Sequence, residues 1–259
     1  MEAAIWAIAL VAGAFAGSFL NVVIHRGPAM WGLVEDDATT RGNLMGPRSY
    51  CPACRAPIPR AHLLPLVSFA ALGGKCAACA APIPLRYPLV ELAGVIVVAI
   101  AIWRFGLTAE AGFAGLLGLA LIALAAIDFE TGYLPDMITL PLMVAGLAIN
   151  LFSTFAGFSD ALIGLVVGAG LFWALGAFWS RLRGVEALGL GDAKLLGGLG
   201  AWAGWQALPL IVFVAAAATL VIVLIARLRG QAIQSKDPVP FGPGLCFAGY
   251  GVFVSGVVI

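Results

Sequence analysis

Gly189-Leu190-Gly191-Asp192-Ala193-Lys194 sets one carboxylate among glycines at the mouth of an apolar run. An ionisable group at a bilayer boundary is costly, so a chain that keeps one there is expected to use it. Without a Cβ, Gly189 and Gly191 permit a tight turn or the close approach of another backbone, such as a peptide substrate. A second carboxylate, Asp128, ends an earlier apolar run in Ala126-Ile127-Asp128-Phe129-Glu130. Two aspartates held side by side cannot both ionise; they share a proton, one serving as base and the other as acid. Such a pair can activate water against a peptide carbonyl. Plainer roles compete, because a single aspartate at a span end commonly caps a helix or pairs with a cation. Asp136 follows a proline and precedes an apolar run, which is N-cap placement. Asp136 and Glu130 are read as caps or as partners of a nearby Lys or Arg, and Asp160 as a cap or solvated group. Lys194 is read as a membrane-edge anchor that could also bias the charge on Asp192.

Whether the two acids meet depends on the elements that carry them. Of the 259 residues, 62% are hydrophobic and 10% charged, and the mean hydropathy is +1.05. Soluble domains average roughly 45–50% apolar and about 25% charged, so this is an integral membrane protein. Its apolar runs have helix-spanning length, unlike the alternating ten-residue strands of a membrane barrel. Net charge is +1 with no basic block, which leaves nothing to grip nucleic acid. The first run starts without a basic n-region and is followed by His25-Arg26, so it is read as a retained span and not a signal peptide.

Spans are expected at about 4–24, 88–104, 107–127, 137–155 and 158–180. The tract 195–228 is split at Gly204–Pro209 into a sixth and a seventh, and 241–259 is the eighth. The fold class is therefore an all-α polytopic membrane protein of about eight transmembrane helices. With this count, Arg104 alone of the 14 Lys and Arg falls on one face; the face carrying the rest is assigned to the cytoplasm. Two crossings separate Asp128 from Asp192, which puts both at the cytoplasmic boundary.

Between the first two spans lies the one sizeable soluble segment. Cys51-Pro-Ala-Cys54-Arg-Ala-Pro-Ile-Pro59 is echoed by Cys76-Ala-Ala-Cys79-Ala-Ala-Pro-Ile-Pro84. Four sulfurs on two tight turns suit tetrahedral zinc, and a closed set of four cysteines makes the ion structural. A reducing cytoplasm favours this over two disulfides. A domain this small is expected to need such a staple. Cys246 in the last span is read as a small packed hydrophobe. Asn21 and Ser18 are expected to bridge helices by hydrogen bonds, and Glu91 needs a partner or an interfacial position. His25 and His62 are read as loop or interfacial residues. The organisation expected is residues 1–24 as first span, 25–87 as cytoplasmic zinc domain and 88–259 as a membrane peptidase domain.

Together these residues resemble the type IV prepilin peptidases of the bacterial inner membrane. The resemblance runs through Gly17-Ser-Phe-Leu-Asn-Val-Val-Ile-His-Arg26, the paired C-x-x-C turns and Arg86-Tyr-Pro-Leu-Val-Glu91. It continues in Asp128 with Leu134-Pro-Asp136, in Gly189–Lys194 and in Pro240-Phe-Gly-Pro243. It implies Asp128 and Asp192 as the catalytic pair, and a prepilin or pseudopilin of type IV pili or type II secretion as substrate. It also implies a second activity, methylation of the new N-terminus with S-adenosylmethionine, tied to the cysteine domain. No glycine-rich cofactor loop marks a donor site. The loop 27–50, with Glu35-Asp36-Asp37, matches no feature of the family. Two rival readings are a transporter or proton channel using membrane carboxylates, and a non-catalytic assembly factor with a zinc domain. The placement of both aspartates at span ends argues against proton relay.

Overall fold

The structure, a computed structural model, describes residues 2–35, 41–183, 189–229 and 241–257. Asp36, Asp37, Lys236 and Pro240 lie outside the described residues, as does the end of the expected eighth span. Helices dominate: α1 (Glu2–Met30), a 3-10 turn (Arg60–Leu63), α2 (Val67–Ala71), α3 (Arg86–Phe105), α4 (Ala109–Thr131) and α5 (Asp136–Asn150). They continue with α6 (Phe158–Arg183), α7 (Leu190–Ala203), a 3-10 turn (Trp205–Ala207), α8 (Leu208–Leu228) and α9 (Gly242–Ser255). Strand pairing among the described residues is limited to two isolated bridges.

Five of these segments are long and apolar enough to cross a bilayer: α1, α3, α4, residues Phe158–Phe178 of α6, and Trp205–Leu228. Helices satisfy every internal backbone group, so a chain of this kind is a multi-pass membrane protein. All eight expected apolar helices are present, but α5, α7 and α9 have only 15, 14 and 14 residues. At about 1.5 Å per residue they span roughly 21–23 Å, short of a ~30 Å hydrocarbon core. The long tract divides where expected, at Gly204 with φ of 80° and the 3-10 turn after it.

The chain forms two compact units, Met1–Ala123 and Leu124–Ile259, the division falling inside α4. In the first, α1 and α3 cross backbone to backbone. A Cβ at Gly17 would lie 2.7 Å from the Glu91 Cα, and one at Gly13 2.9 Å from the Gly94 carbonyl. Small residues permit this approach, which gives membrane helices their van der Waals contact. Asn21 seals the crossing by donating to the Tyr87 carbonyl at 3.1 Å. The first helix outruns its apolar stretch, continuing through Pro28 to Met30. Arg26 explains the extension: buried, it donates to the carbonyls of Asn43 and Pro47 at 2.7 and 2.8 Å, pinning the following loop against the helix end.

In the second unit α6 and α7 pack in the same glycine-mediated way. Cβ atoms at Gly168 and Gly197 would strike Leu196 and Leu165 carbonyls at 2.7 and 3.0 Å. At the far end of α7, Asn150 donates to the Ala201 and Trp202 carbonyls and accepts from the amides of Phe155 and Ala156. Trp202 donates to the Leu142 carbonyl at 2.8 Å and packs with Phe155 and Phe253. The helix that carries Asp192 is thus fixed at both its face and its far end.

Candidate active site and metal centre

Asp128 lies in the last turn of α4, which Gly132 ends at φ of 71° with its amide on the Asp128 carbonyl at 2.8 Å. The Asp128 side chain is 6% exposed, and its Oδ2 is buried with no hydrogen-bond partner. Gly242, the first residue of α9, faces it: a Cβ there would lie 2.6 Å from Asp128 Oδ2 and 3.3 Å from Leu134 Cδ1. Leu134 in turn meets Gly191, where a Cβ would come within 2.9 Å of the Leu134 Cβ. Asp192 is the next residue, in the first turn of α7 and half-buried. Leu134 thus lies between Gly242, which faces Asp128, and Gly191, which precedes Asp192, and Cys246 is buried one turn into α9. Four helix ends therefore converge on one polar spot in an apolar unit.

The glycines flanking Asp192 differ. Gly189 has φ of −70° and ψ of 138°, which any residue can adopt, and a Cβ there would make ordinary contact with Asp192 at 3.5 Å. The close approach is at Gly191, to Leu134. Lys194 Nζ pairs with both oxygens of Asp136 at 2.6 and 2.8 Å. Of the two roles expected for Asp136, helix cap or partner of a cation, that contact gives the second. Pro135 occupies the cap, Asp136 is inside the first turn, and its carboxylate is spent on the lysine. Asp160 accepts from the Trp205 indole at 3.0 Å. Gly242 stood in the sequence only as part of Pro240–Pro243; a glycine directly before a proline at a helix start was its signal.

The candidate metal centre lies in the first unit. Each cysteine turn is closed in the same way: Cys51 N–H to the Ala56 carbonyl at 3.0 Å, Cys76 N–H to the Ala81 carbonyl at 2.8 Å. Arg55 and Ala80 take matching positive φ values of 61° and 56°. The bridges Tyr50–Pro57 and Lys75–Pro82 complete the correspondence, so the sequence repeat is a structural repeat. The four Sγ atoms of Cys51, Cys54, Cys76 and Cys79 lie within 4.8 Å of one another, and Cys51 and Cys79 are 3.9 Å apart. Tetrahedral zinc at about 2.3 Å from each sulfur needs edges of roughly 3.8 Å, so the set can hold a metal ion. The Cys79 and Ala78 amides draw the Cys76 thiol down to about 7. On Cys79 the Ala81 amide acts downward, but Cys54, burial and the remaining sulfurs outweigh it and push that thiol up to about 12. Glu91 finds its partner here, accepting from the Leu66 amide at 2.8 Å.

Comparison with known proteins places these two sites in separate matches. The Bacterial Peptidase A24 N-terminal domain matches residues 11–105, which include all four clustered cysteines. The Type IV leader peptidase family matches residues 115–224, which include Asp128 and Asp192. A prepilin leader peptidase/N-methyltransferase of Burkholderia pseudomallei is 42% identical over 257 residues, covering 94% of this chain and 83% of the relative. Proteins of the same name from Pseudomonas aeruginosa and Neisseria gonorrhoeae are 42% and 38% identical, covering 93% and 96% of this chain and 87% and 90% of their own lengths. No solved structure matches. With both halves matched and relatives aligned along nearly the whole chain, this protein belongs to the type IV leader peptidase family.

Proposed function

We propose that this protein is a membrane aspartyl endopeptidase that removes the leader of type IV prepilins or pseudopilins and methylates the new N-terminus. The observation that supports the peptidase reading is the packing of Gly242 on Asp128 and of Leu134 against both Gly242 and Gly191, the neighbour of Asp192, at helix ends in an apolar unit. Two carboxylates that repel share one proton. The ionised member takes a proton from water as that water attacks the scissile carbonyl, and the protonated member gives one to the departing amine. The positive-inside distribution supports a site at the cytoplasmic face of the inner membrane. There a basic leader stays in the cytoplasm while the substrate's apolar stem lies in lipid. Gly191 and Lys194 support the site by holding α7 against the Leu134–Asp136 segment, and Gly189 opens the helix.

The names of the relatives support the methyltransferase half. S-adenosylmethionine is the donor and supplies an electrophilic methyl group on sulfur. Zinc on Cys51, Cys54, Cys76 and Cys79 is structural, since the four sulfurs leave no open position. The organisation follows, with the cysteine segment 25–87 serving methylation and 88–259 serving proteolysis.

The test is conversion of a co-expressed prepilin. Asp128→Asn and Asp192→Asn should each lower cleavage by at least ~10²-fold, the scale of general acid–base catalysis, at normal protein levels. Cleavage at the wild-type rate by either variant would sink the assignment.

A further inference from the structure

Beneath the two cysteine turns lies a cavity of about 400 Å3, entirely within the first unit. Its volume falls in the range of small-molecule sites, roughly 300–1,000 Å3. Helix α1 lines it with Asn21 and Arg26, the turns with Cys51 and Cys76, and α3 with Tyr87 and Glu91. Most of the remaining wall is proline, alanine and leucine, with the rings of Tyr50 and Phe69.

Three of its polar groups are left with unmet demands. Asn21 is 4% exposed; its amide nitrogen is spent on Tyr87, and its Oδ1 is buried with no partner. A buried orphan acceptor costs about 1–3 kcal/mol, a demand that a ligand donor can meet. Arg26 is 6% exposed, and its partners are the neutral carbonyls of Asn43 and Pro47. A guanidinium held so deeply is expected to find an anion. Glu91 gives one oxygen to the Leu66 amide and has a second to offer. One cavity thus offers an acceptor and a carboxylate for a cation, a guanidinium for an anion, and apolar walls for a flat ring.

We infer that this cavity binds S-adenosylmethionine, with Arg26 serving the donor's carboxylate and Asn21 and Glu91 its cationic groups. The inference rests on the methyltransferase reading and adds the place and the residues. It also gives the metal a purpose: the cysteine turns are walls of the donor site. A zwitterionic lipid headgroup shares the charge pattern, and the experiment separates the two.

Equilibrium binding of radiolabelled S-adenosylmethionine is measured on the zinc-loaded full chain in detergent. Glu91→Gln keeps an acceptor for Leu66 and removes the charge; Val22→Trp fills the cavity from α1. Both are expected to weaken binding at least tenfold while zinc content and prepilin cleavage stay at wild-type levels. Asp192→Asn should bind as wild type does, and S-adenosylhomocysteine should compete. Wild-type affinity in both cavity variants overturns the inference and leaves the methyltransferase reading standing. A wild-type chain that binds no donor overturns both. Competition by short-chain phosphatidylethanolamine but not by S-adenosylhomocysteine would assign the cavity to lipid and overturn the inference.

Discussion

Gly242 meets Asp128 with no room for a side chain: a Cβ at position 242 would lie 2.6 Å from Oδ2 and 2.9 Å from Cγ of the carboxylate. The short aspartate side chain can swing away, so Gly242→Ala should displace the reactive group more than it disturbs the fold. A misplacement of about 1 Å costs on the order of 10²-fold in rate. Prepilin cleavage is expected to fall by that factor with little change in the melting midpoint. Gly189→Ala is the control, since its Cβ would make only van der Waals contact and its backbone suits any residue. Full activity in Gly242→Ala would remove position 242 from the site.

The Lys194–Asp136 pair ties the start of the second turn of α7 to the first turn of α5, two residues after Leu134. Its side chains are 36% and 53% exposed, so its stabilisation is modest, about 0.2–1 kcal/mol. Lys194→Met and Asp136→Asn should each lose a similar small amount, and the double variant no more than either. Added salt should shrink the difference. Thermal unfolding of the four proteins in detergent at low and high salt checks this. Loss of cleavage in Lys194→Met alone, with Asp136→Asn unaffected, would instead make the lysine a partner of Asp192.

Hydropathy and C-x-x-C spacing are local signals, so the apolar helices and the cysteine cluster are legible in the sequence. Helix length is less so. The apolar run after Asn150 continues, but the Asn150 side chain takes the amides of Phe155 and Ala156 and the helix stops. At α1 the error has the opposite sign, because Arg26 finds carbonyl partners beyond the apolar limit and the helix goes on. Asp136 shows the limit of reading a residue from its neighbours in sequence: a cap and a cation partner are equally open, and only the approach of a lysine from another helix decides between them. The contact of Gly242 with Asp128 joins distant helices and leaves no periodic trace. Nor does the cavity at Asn21, Arg26 and Glu91, whose members belong to two helices brought together by glycines.

Zinc binding should release protons in a pH-dependent way, because thiols must ionise to bind the ion. In the metal-free protein Cys76 sits at about 7, lowered from the ordinary thiol value. It is mostly thiolate at pH 8 and releases little there; at pH 6 it is mostly thiol and must give up its proton. Its contribution to proton release therefore rises toward about one per ion as pH falls through 7, and apparent affinity falls with it. Calorimetry in buffers of different ionisation enthalpy reads this. Cys76→Ser should abolish zinc retention and damage methylation more than cleavage. Equal loss of both activities at normal protein levels would show that the metal also shapes the peptidase site.

Asn150 should prove the most sensitive uncharged residue in the second unit. It is fully buried, and its two donated and two accepted bonds join the C-terminal turn of α7 to the segment after α5. Asn150→Leu keeps the volume but removes those partners at once. Ala201 and Trp202 are near the end of α7, where carbonyls lack a helical donor, and each stranded group costs about 1–3 kcal/mol. A destabilisation of at least ~2 kcal/mol is therefore expected, read as a lower denaturation midpoint in detergent. Cleavage by the protein that remains folded should stay near normal, because Asp192 sits at the opposite end of the helix. An Asn150→Leu protein of wild-type stability would mean that water replaces the network and that the other contacts of α7 suffice to hold its end.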